Sequence, residues 1–292
     1  MIFSLALVGI RGWMRRMEID APAKVNPVLR LHGKRADGFH EIETLMVPIG
    51  LADRIDISVG AGQGILLGCS DPSLPVDASN LAWRAAELFA KETGLAFRTE
   101  IFIQKNIPHG AGLGGGSSDA AAVLKALDQL LGTNLGPARL MQMAAALGSD
   151  IPFFISCVPA VCRGRGEIVG PAAGIPRMEL LLVFPPFSVS TAWAYGAHAA
   201  GAGNSATLRR VWGSMELVND LEPAVFSKYA VLQALRDWLL RQDGVAHAMM
   251  SGSGSTVFAI LDNAAEGLEE RLHGEFGAAF SARRCSTVAS AV

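Results

Sequence analysis

IPHGAGLGGGSSDAAAVLKALDQLL, residues 107–131, places five glycines (Gly110, Gly112, Gly114, Gly115 and Gly116) within seven positions and then turns into a helical pattern. Without Cβ atoms, successive backbone N–H groups can approach one point, and the positive φ angles open to glycine help turn them there. The helix expected from Ser117 adds its unpaired first-turn N–H groups and the positive end of its dipole. The stretch therefore reads as a phosphate cradle. Ser117 and Ser118 can cap that helix, donate to phosphate oxygens, or ligate Mg²⁺.

Two generic motifs compete here. GAGLGG fits G-x-G-x-x-G after a strand and before a helix, as in dinucleotide-binding folds, but no acidic residue ends a second strand some twenty positions on; Asp128 lies inside the helix. A P-loop needs Lys-Ser/Thr after its last glycine, and none follows.

Outward from the loop, strands and helices mix along the chain. Val25, Leu29 and Leu31, then Ile55, Ile57 and Val59, alternate as strands around the turn GKRADGFH. Ser79 or Asn80 can cap a helix through Leu81, Ala85 and Leu88 to Gly94, and RTEIFIQK reads as the strand entering the loop. After it, Val123, Leu127, Leu130 and Leu131 have helical spacing up to Gly132, and a further helix runs from Pro137 to Gly148. ELLLVFPP from Glu179 and TVFAIL from Thr256 read as strands, and KYAVLQALRDWLLRQ from Lys228 as a helix. The Gly-, Pro- and Arg-rich stretch over 158–178 marks a division of the chain, placed at 165/166.

The chain's 292 residues suffice for two lobes, and half of them are hydrophobic. A net charge of -2 argues against a nucleic-acid partner. Cys69, Cys157, Cys162 and Cys285 show no metal or disulfide spacing and read as reduced thiols of a cytoplasmic protein. The apolar run Ile2–Ile10 is too short to span a bilayer, and Arg11, Arg15 and Arg16 follow it, the reverse of a signal peptide. Residues 1–16 are thus expected to be an extension upstream of a natural start at Met14 or Met17, and no membrane partner is expected.

PHGAGLGGGSSDAA resembles the phosphate-binding motif P-x-G-x-G-L-G-x-S-S of the GHMP family of small-molecule kinases. APAKVN near the start and SGSGSTVFAI near the end resemble that family's other motifs, in order, over residues 20–262. Within the family, GKRADGFH, LGSDIPFFI and VNDLE resemble a member that phosphorylates a hydroxyl of a CDP-linked substrate. The resemblance implies a two-lobed α+β fold. Residues 17–165 would form a ribosomal protein S5 domain 2-like lobe that binds ATP, and residues 166–292 a lobe of antiparallel sheet and helices.

It implies Lys24 and Asp150 as the catalytic pair, Asp150 accepting the proton and Lys24 orienting the reacting groups. Read alone, Lys24 would be a surface charge and Asp150 the N-cap of a helix. ATP would be held by Pro108, His109, Gly110, Ala111, Gly112, Leu113, Gly114, Gly115, Gly116, Ser117 and Ser118. Mg²⁺ would accompany it, with no ligand assigned. The substrate would meet Asn26, Phe39, His40, Tyr195, Gly252, Ser253 and Gly254. Phe39 stands where the family usually has Tyr, keeping a ring to stack on cytosine without the hydroxyl. Trp193 is close enough to Tyr195 to compete for the second side of the base. A monomer or weak homodimer is expected.

Overall fold

Strict alternation over Arg98–Gln104 is the plainest case of sequence becoming structure. Thr99, Ile101 and Ile103 are buried, while Arg98, Glu100 and Phe102 face out, as a strand with one covered face requires. A computed structural model describes residues 14–203, 207–262 and 265–288. Residues 1–13 of the expected extension lie outside these. Arg15 and Arg16 already belong to the first strand.

The elements in order are β1 (Arg15–Lys34), β2 (His40–Gly60), β3 (Gly64–Cys69), α1 (Leu81–Thr93), β4 (Arg98–Gln104), α2 (Gly115–Leu131), α3 (Gly136–Leu147), α4 (Ile151–Ser156), β5 (Ala160–Arg163) and β6 (Ile168–Pro171). There follow β7 (Glu179–Phe184), α5 (Thr191–Ala199), β8 (Arg209–Trp212), β9 (Met215–Asn219), α6 (Glu222–Lys228), α7 (Ala230–Leu239), β10 (Val245–Met250), β11 (Val257–Leu261), α8 (Leu268–Phe276) and β12 (Ser281–Ser286). The expected α+β class is present. None of the described helices is long and apolar enough to cross a membrane, and none of the four cysteines is in a disulfide. Only Cys162 among them is fully buried.

The expected division at 165/166 is a cut along the chain; packing groups the chain in an interleaved way. Among the described residues, one unit comprises residues 14–23, 51–107 and 114–157, the other 24–50, 108–113 and those from 158 to 288. The long strands β1 and β2 run through both.

In the first unit β4 pairs antiparallel with β2 (Ile57↔Ile101) and parallel with β3 (Leu67↔Ile101), the parallel step being made through α1. α2 buries ten of its residues, including Ala120–Leu124 and Leu127, and alanines let α1 approach it closely through Ala82, Ala85 and Ala86. Phe89, Phe153 and Phe154 complete this core.

In the second unit four antiparallel strands run in the order β10-β11-β7-β12. Leu181, Val183, Ala248, Met250, Val257 and Ala259 on this sheet share a core with Leu235 and Leu239 of α7. β1 pairs parallel with β9 at Val28↔Val218, β9 with β8, and β2 with β5 at Thr44↔Cys162.

Candidate active site

Lys24 lies on the buried stretch of β1 and is only 3% exposed, which rules out the surface-charge reading. A buried ammonium needs fixed oxygens around it. Its Nζ donates to Asn26 Oδ1 at 2.6 Å and to the Gly112 carbonyl at 2.5 Å, and its backbone N–H donates to Leu113 O at 3.0 Å. Residues two apart on a strand share a face, which is how Asn26 comes beside Lys24. Asn26 Nδ2 donates to Thr44 Oγ1 at 2.8 Å, and Thr44 in turn donates to Val28 O.

Those same contacts orient the glycine turn. The carbonyls of Ala111, Gly112 and Leu113 accept from Thr256 N, from Lys24 Nζ and Ser251 Oγ, and from Lys24 N. In a trans peptide the next N–H points opposite to its carbonyl. The N–H groups of Gly112, Leu113 and Gly114 are thereby aimed away from these partners. Gly112 has φ +75°, and a Cβ there would stand 2.2 Å from Ser251 O. No other residue fits.

The helix end in the first unit corrects one expectation. α2 starts at Gly115, with Gly114 at φ +74° as N-cap and no side-chain cap, so Ser117 and Ser118 sit inside the first turn and cap nothing. First-turn N–H groups left uncapped are the donors an anion would take. Beside them Lys105 is held between two carboxylates, Asp53 and, at 3.0 Å, Asp119 Oδ2. Asp53 Oδ1 also accepts from Asn106 N at 2.5 Å and Ile107 N at 2.9 Å. Burial, set against the Lys105 charge it shares with Asp53, pushes Asp119 up to about 7. Ser118 Oγ and Asp119 Oδ1 are buried without a hydrogen-bond partner.

Asp150 is the residue preceding α4, where a cap was the bland reading. Its backbone is helical (φ -84°, ψ -13°) and its side chain makes no capping bond, so its own helix makes no use of the carboxylate. Pro152 at the second helical position needs no N–H partner there.

In the second unit His40 and Tyr195 come together, ring centroids 5.6 Å apart and tilted by 39°. Burial, with His198 and Lys34 nearby, holds the His40 imidazole below its usual pKa. The neutral ring offers one donor and one acceptor. Phe39 is half exposed, with the Arg165 guanidinium 4.8 Å above its ring. Trp193 packs edge-on against Tyr229, under Lys228 Nζ, so of the two candidates Tyr195 is the one beside His40. Ser253 Oγ bonds to Thr191 Oγ1 at 2.9 Å, and Gly254 N donates back to Ser251 O. The SGSGS segment joins two strands, β10 and β11.

Thr44, Asp53, Lys105 and Ser251 were not singled out from sequence. Lys105, immediately before the loop, carried a positional hint; Asp53 and Ser251 act across gaps of 52 and 139 residues that no local pattern reveals. Among the described residues no group of three His, Cys, Asp or Glu side chains is placed to hold a metal.

A glycine turn with its carbonyls anchored and its amides aimed outward, leading into an uncapped helix in an α+β chain, is the apparatus of a small-molecule phosphotransferase. Residues 80–157 match the GHMP kinases N terminal domain and residues 194–279 the GHMP kinases C terminal domain. The chain is 46% identical over 243 residues to the 4-diphosphocytidyl-2-C-methyl-D-erythritol kinase of Methylacidiphilum infernorum, covering 82% of this chain and 85% of that one. It is 40% identical to the same-named kinase of a Geobacter species, covering 86% and 91%. A solved 4-(cytidine 5'-diphospho)-2C-methyl-D-erythritol kinase superposes with TM-score 0.73 at 34% identity, covering 93% and 99%. Homoserine kinase from Cytophaga hutchinsonii shares the fold, at TM-score 0.67 and 17% identity over 98% of both chains. This chain belongs to the GHMP kinases.

Proposed function

We propose that this kinase transfers the γ-phosphoryl group of ATP to the 2-hydroxyl of 4-diphosphocytidyl-2-C-methyl-D-erythritol, a step of the non-mevalonate route to isoprenoid precursors. The observation that carries the reading is the 46% identity across most of both chains to a kinase of that name. The pairing of His40 with Tyr195 supports a pyrimidine site. Neutral His40 reads a cytosine edge, and Tyr195 and Phe39 offer rings to stack on the base.

The amides of Gly110–Gly116 and the first turn of α2 hold the ATP phosphates. Lys24, fixed by Asn26 and Gly112 O, orients the acceptor hydroxyl and offsets charge as the phosphoryl group moves; Asn26 acts on the substrate through this lysine. Asp150 takes the hydroxyl proton. Removing that proton needs little assistance when the transition state is loose and positioning dominates. Gly252 and Ser253 offer backbone N–H groups to the substrate diphosphate; Gly254 N is engaged within its own turn.

Mg²⁺ fits the buried, unpartnered Ser118 Oγ and Asp119 Oδ1, oxygen donors of the kind it takes while keeping several waters. When bound it shields the phosphate charge.

ADP release measured over a panel of acceptors tests the substrate, with turnover expected on the CDP-linked alcohol and none on homoserine or mevalonate. Asp150→Asn should retain ATP binding and lose turnover on the order of 10²–10⁴-fold. Near-parental turnover would remove Asp150 from the mechanism.

A further inference from the structure

VNDLE, residues 218–222, stands out in the sequence, yet the reaction as described gives it no task. Its side chains converge on the segment between β10 and β11. Asn219, at the end of β9 and 1% exposed, donates through Nδ2 to both Met250 O and Gly252 O at 2.8 Å, while its Oδ1 accepts from Leu221 N at 3.0 Å. Glu222, at the start of α6 and equally buried, accepts Met250 N on Oε1 at 2.8 Å and pairs through Oε2 with Arg236 Nη1 at 2.9 Å. Two side chains thus fix three backbone groups where β10 enters the turn, Met250 N and O and Gly252 O, each side chain with its remaining hydrogen-bonding capacity matched.

What that turn touches gives the convergence its meaning. Ser251 Oγ donates to Gly112 O at 3.1 Å, and Gly112 O is also the acceptor for Lys24 Nζ. A Cβ on Gly252 would lie 3.1 Å from Gly112 O and 3.2 Å from Lys24 Nζ, so the turn is seated directly against both. Moving it moves the oxygen that holds the ammonium. We propose that Asn219 and Glu222 are positioning residues for phosphoryl transfer: through Ser251 and Gly252 they set the place of Gly112 O and, with it, of Lys24 and the phosphate turn. The inference rests on Lys24 acting as proposed above, and is independent of which hydroxyl receives the phosphate. A displacement of about 1 Å in such a support costs on the order of a hundredfold in rate.

Asn219→Asp is the sharpest test. It keeps the shape and the bond to Leu221 N, but sets an oxygen against the Met250 and Gly252 carbonyls in place of a donor. The expected result is a folded protein with kcat lowered roughly 10- to 100-fold and KM for ATP raised several-fold, whereas a smaller folded fraction would lower kcat alone. In a Ser251→Ala background, where the link to Gly112 O is already cut, the same change should cost much less than it does alone, as residues on one path couple. Glu222→Gln, which retains an acceptor for Met250 N, should recover most of the activity lost in Glu222→Ala, and this pair carries the question if Asn219→Asp does not fold. A folded Asn219→Asp with kcat and KM within twofold of the parent, an undiminished loss in the Ser251→Ala background, or Glu222→Gln no better than Glu222→Ala would overturn the inference. Lys24→Ala separates the layers: if it is inactive while Asn219→Asp is normal, only the positioning role falls. Parental turnover in Lys24→Ala would remove the reading beneath it.

Discussion

The two glycine-rich turns, Gly110–Gly116 and Ser251–Ser255, share a composition and differ in which of their backbone groups the protein engages. In the first, three consecutive carbonyls are anchored and the amides are turned outward. The second is tied by its own atoms and its neighbours: Ser251 N to Thr256 O, Gly254 N to Ser251 O, Ser255 Oγ to Phe187 O, and the Gly252 carbonyl to Asn219, which also holds Met250 O just before the turn. One turn presents donors and the other braces it. Glycine richness reports that something approaches the backbone closely; at Gly112 that is the Ser251 carbonyl, and at Gly252 it is the Gly112 carbonyl.

Substituting the glycines is the most forceful way to break the comparison. Gly112→Ala meets a backbone oxygen at 2.2 Å on top of its positive φ. Neither can be relieved by a side-chain rotation, so steady-state kinetics should show kcat/KM down by about a hundredfold or more.

A second test acts on the brace through pH. His247 on β10, the strand that enters the second turn, is buried with Nδ1 unpartnered. Burial first, then the charges of Arg210 and Arg236, hold its pKa down to about 4 from the usual 6.5. A histidine kept neutral by folding stabilises the native state fully above about pH 6.5 and progressively less as pH falls toward 4. Denaturant titrations should therefore show about 2–3 kcal/mol lost across that window, and His247→Gln should flatten the profile. An unchanged slope in the variant would assign the acid sensitivity elsewhere.

The smallest effect sharpens the contrast. At Gly254 (φ +85°) an added Cβ meets the Met250 thioether at 2.8 Å, the end of a flexible side chain that can move aside. Gly254→Ala should cost about 1–2 kcal/mol of stability from the left-handed backbone, with activity reduced only a few-fold; a loss as deep as that of Gly112→Ala would mean that the brace tolerates no more than the cradle does.

Legibility in the sequence followed the range of the cause. β4 was readable because its strict alternation buries one of its faces, and the helix through Val123 and Leu127 because its larger apolar residues recur at helical spacing. The start of α2 was not: Gly115 and Gly116 are poor helix formers, and the chain around them makes them helical regardless. α5 escaped because TAWAYGAHA buries only Ala194 and so leaves no apolar stripe. For the candidate site, Lys24, Asp150 and the first glycine turn were named from motifs, and His40 and Tyr195, whose ring centroids lie 5.6 Å apart, from the chemistry a base would need. Thr44, Ser251 and Asn219, which brace Asn26, the glycine turn and the SGSGS segment, were given no such task from sequence, although SGSGS and VNDLE stood out as motifs, since each works through a contact whose partner lies far along the chain or in backbone that any residue could supply.

The interleaving of the two packing units has a consequence for synthesis. Six chain segments alternate between them, so no contiguous fragment is the whole of either unit and nothing else. After the short return at 108–113, the chain rejoins the unit of residues 24–50 for good only at residue 158, 108 positions on (158 minus 50), and at roughly 5–20 residues per second that strand pair waits several seconds or more for it. That strand pair, with Lys24 and Asn26 on it, leaves the ribosome with its neighbours unmade. This kinase therefore cannot mature one unit at a time, and the Lys24 ammonium waits for the Gly112 carbonyl, 88 residues further along the chain.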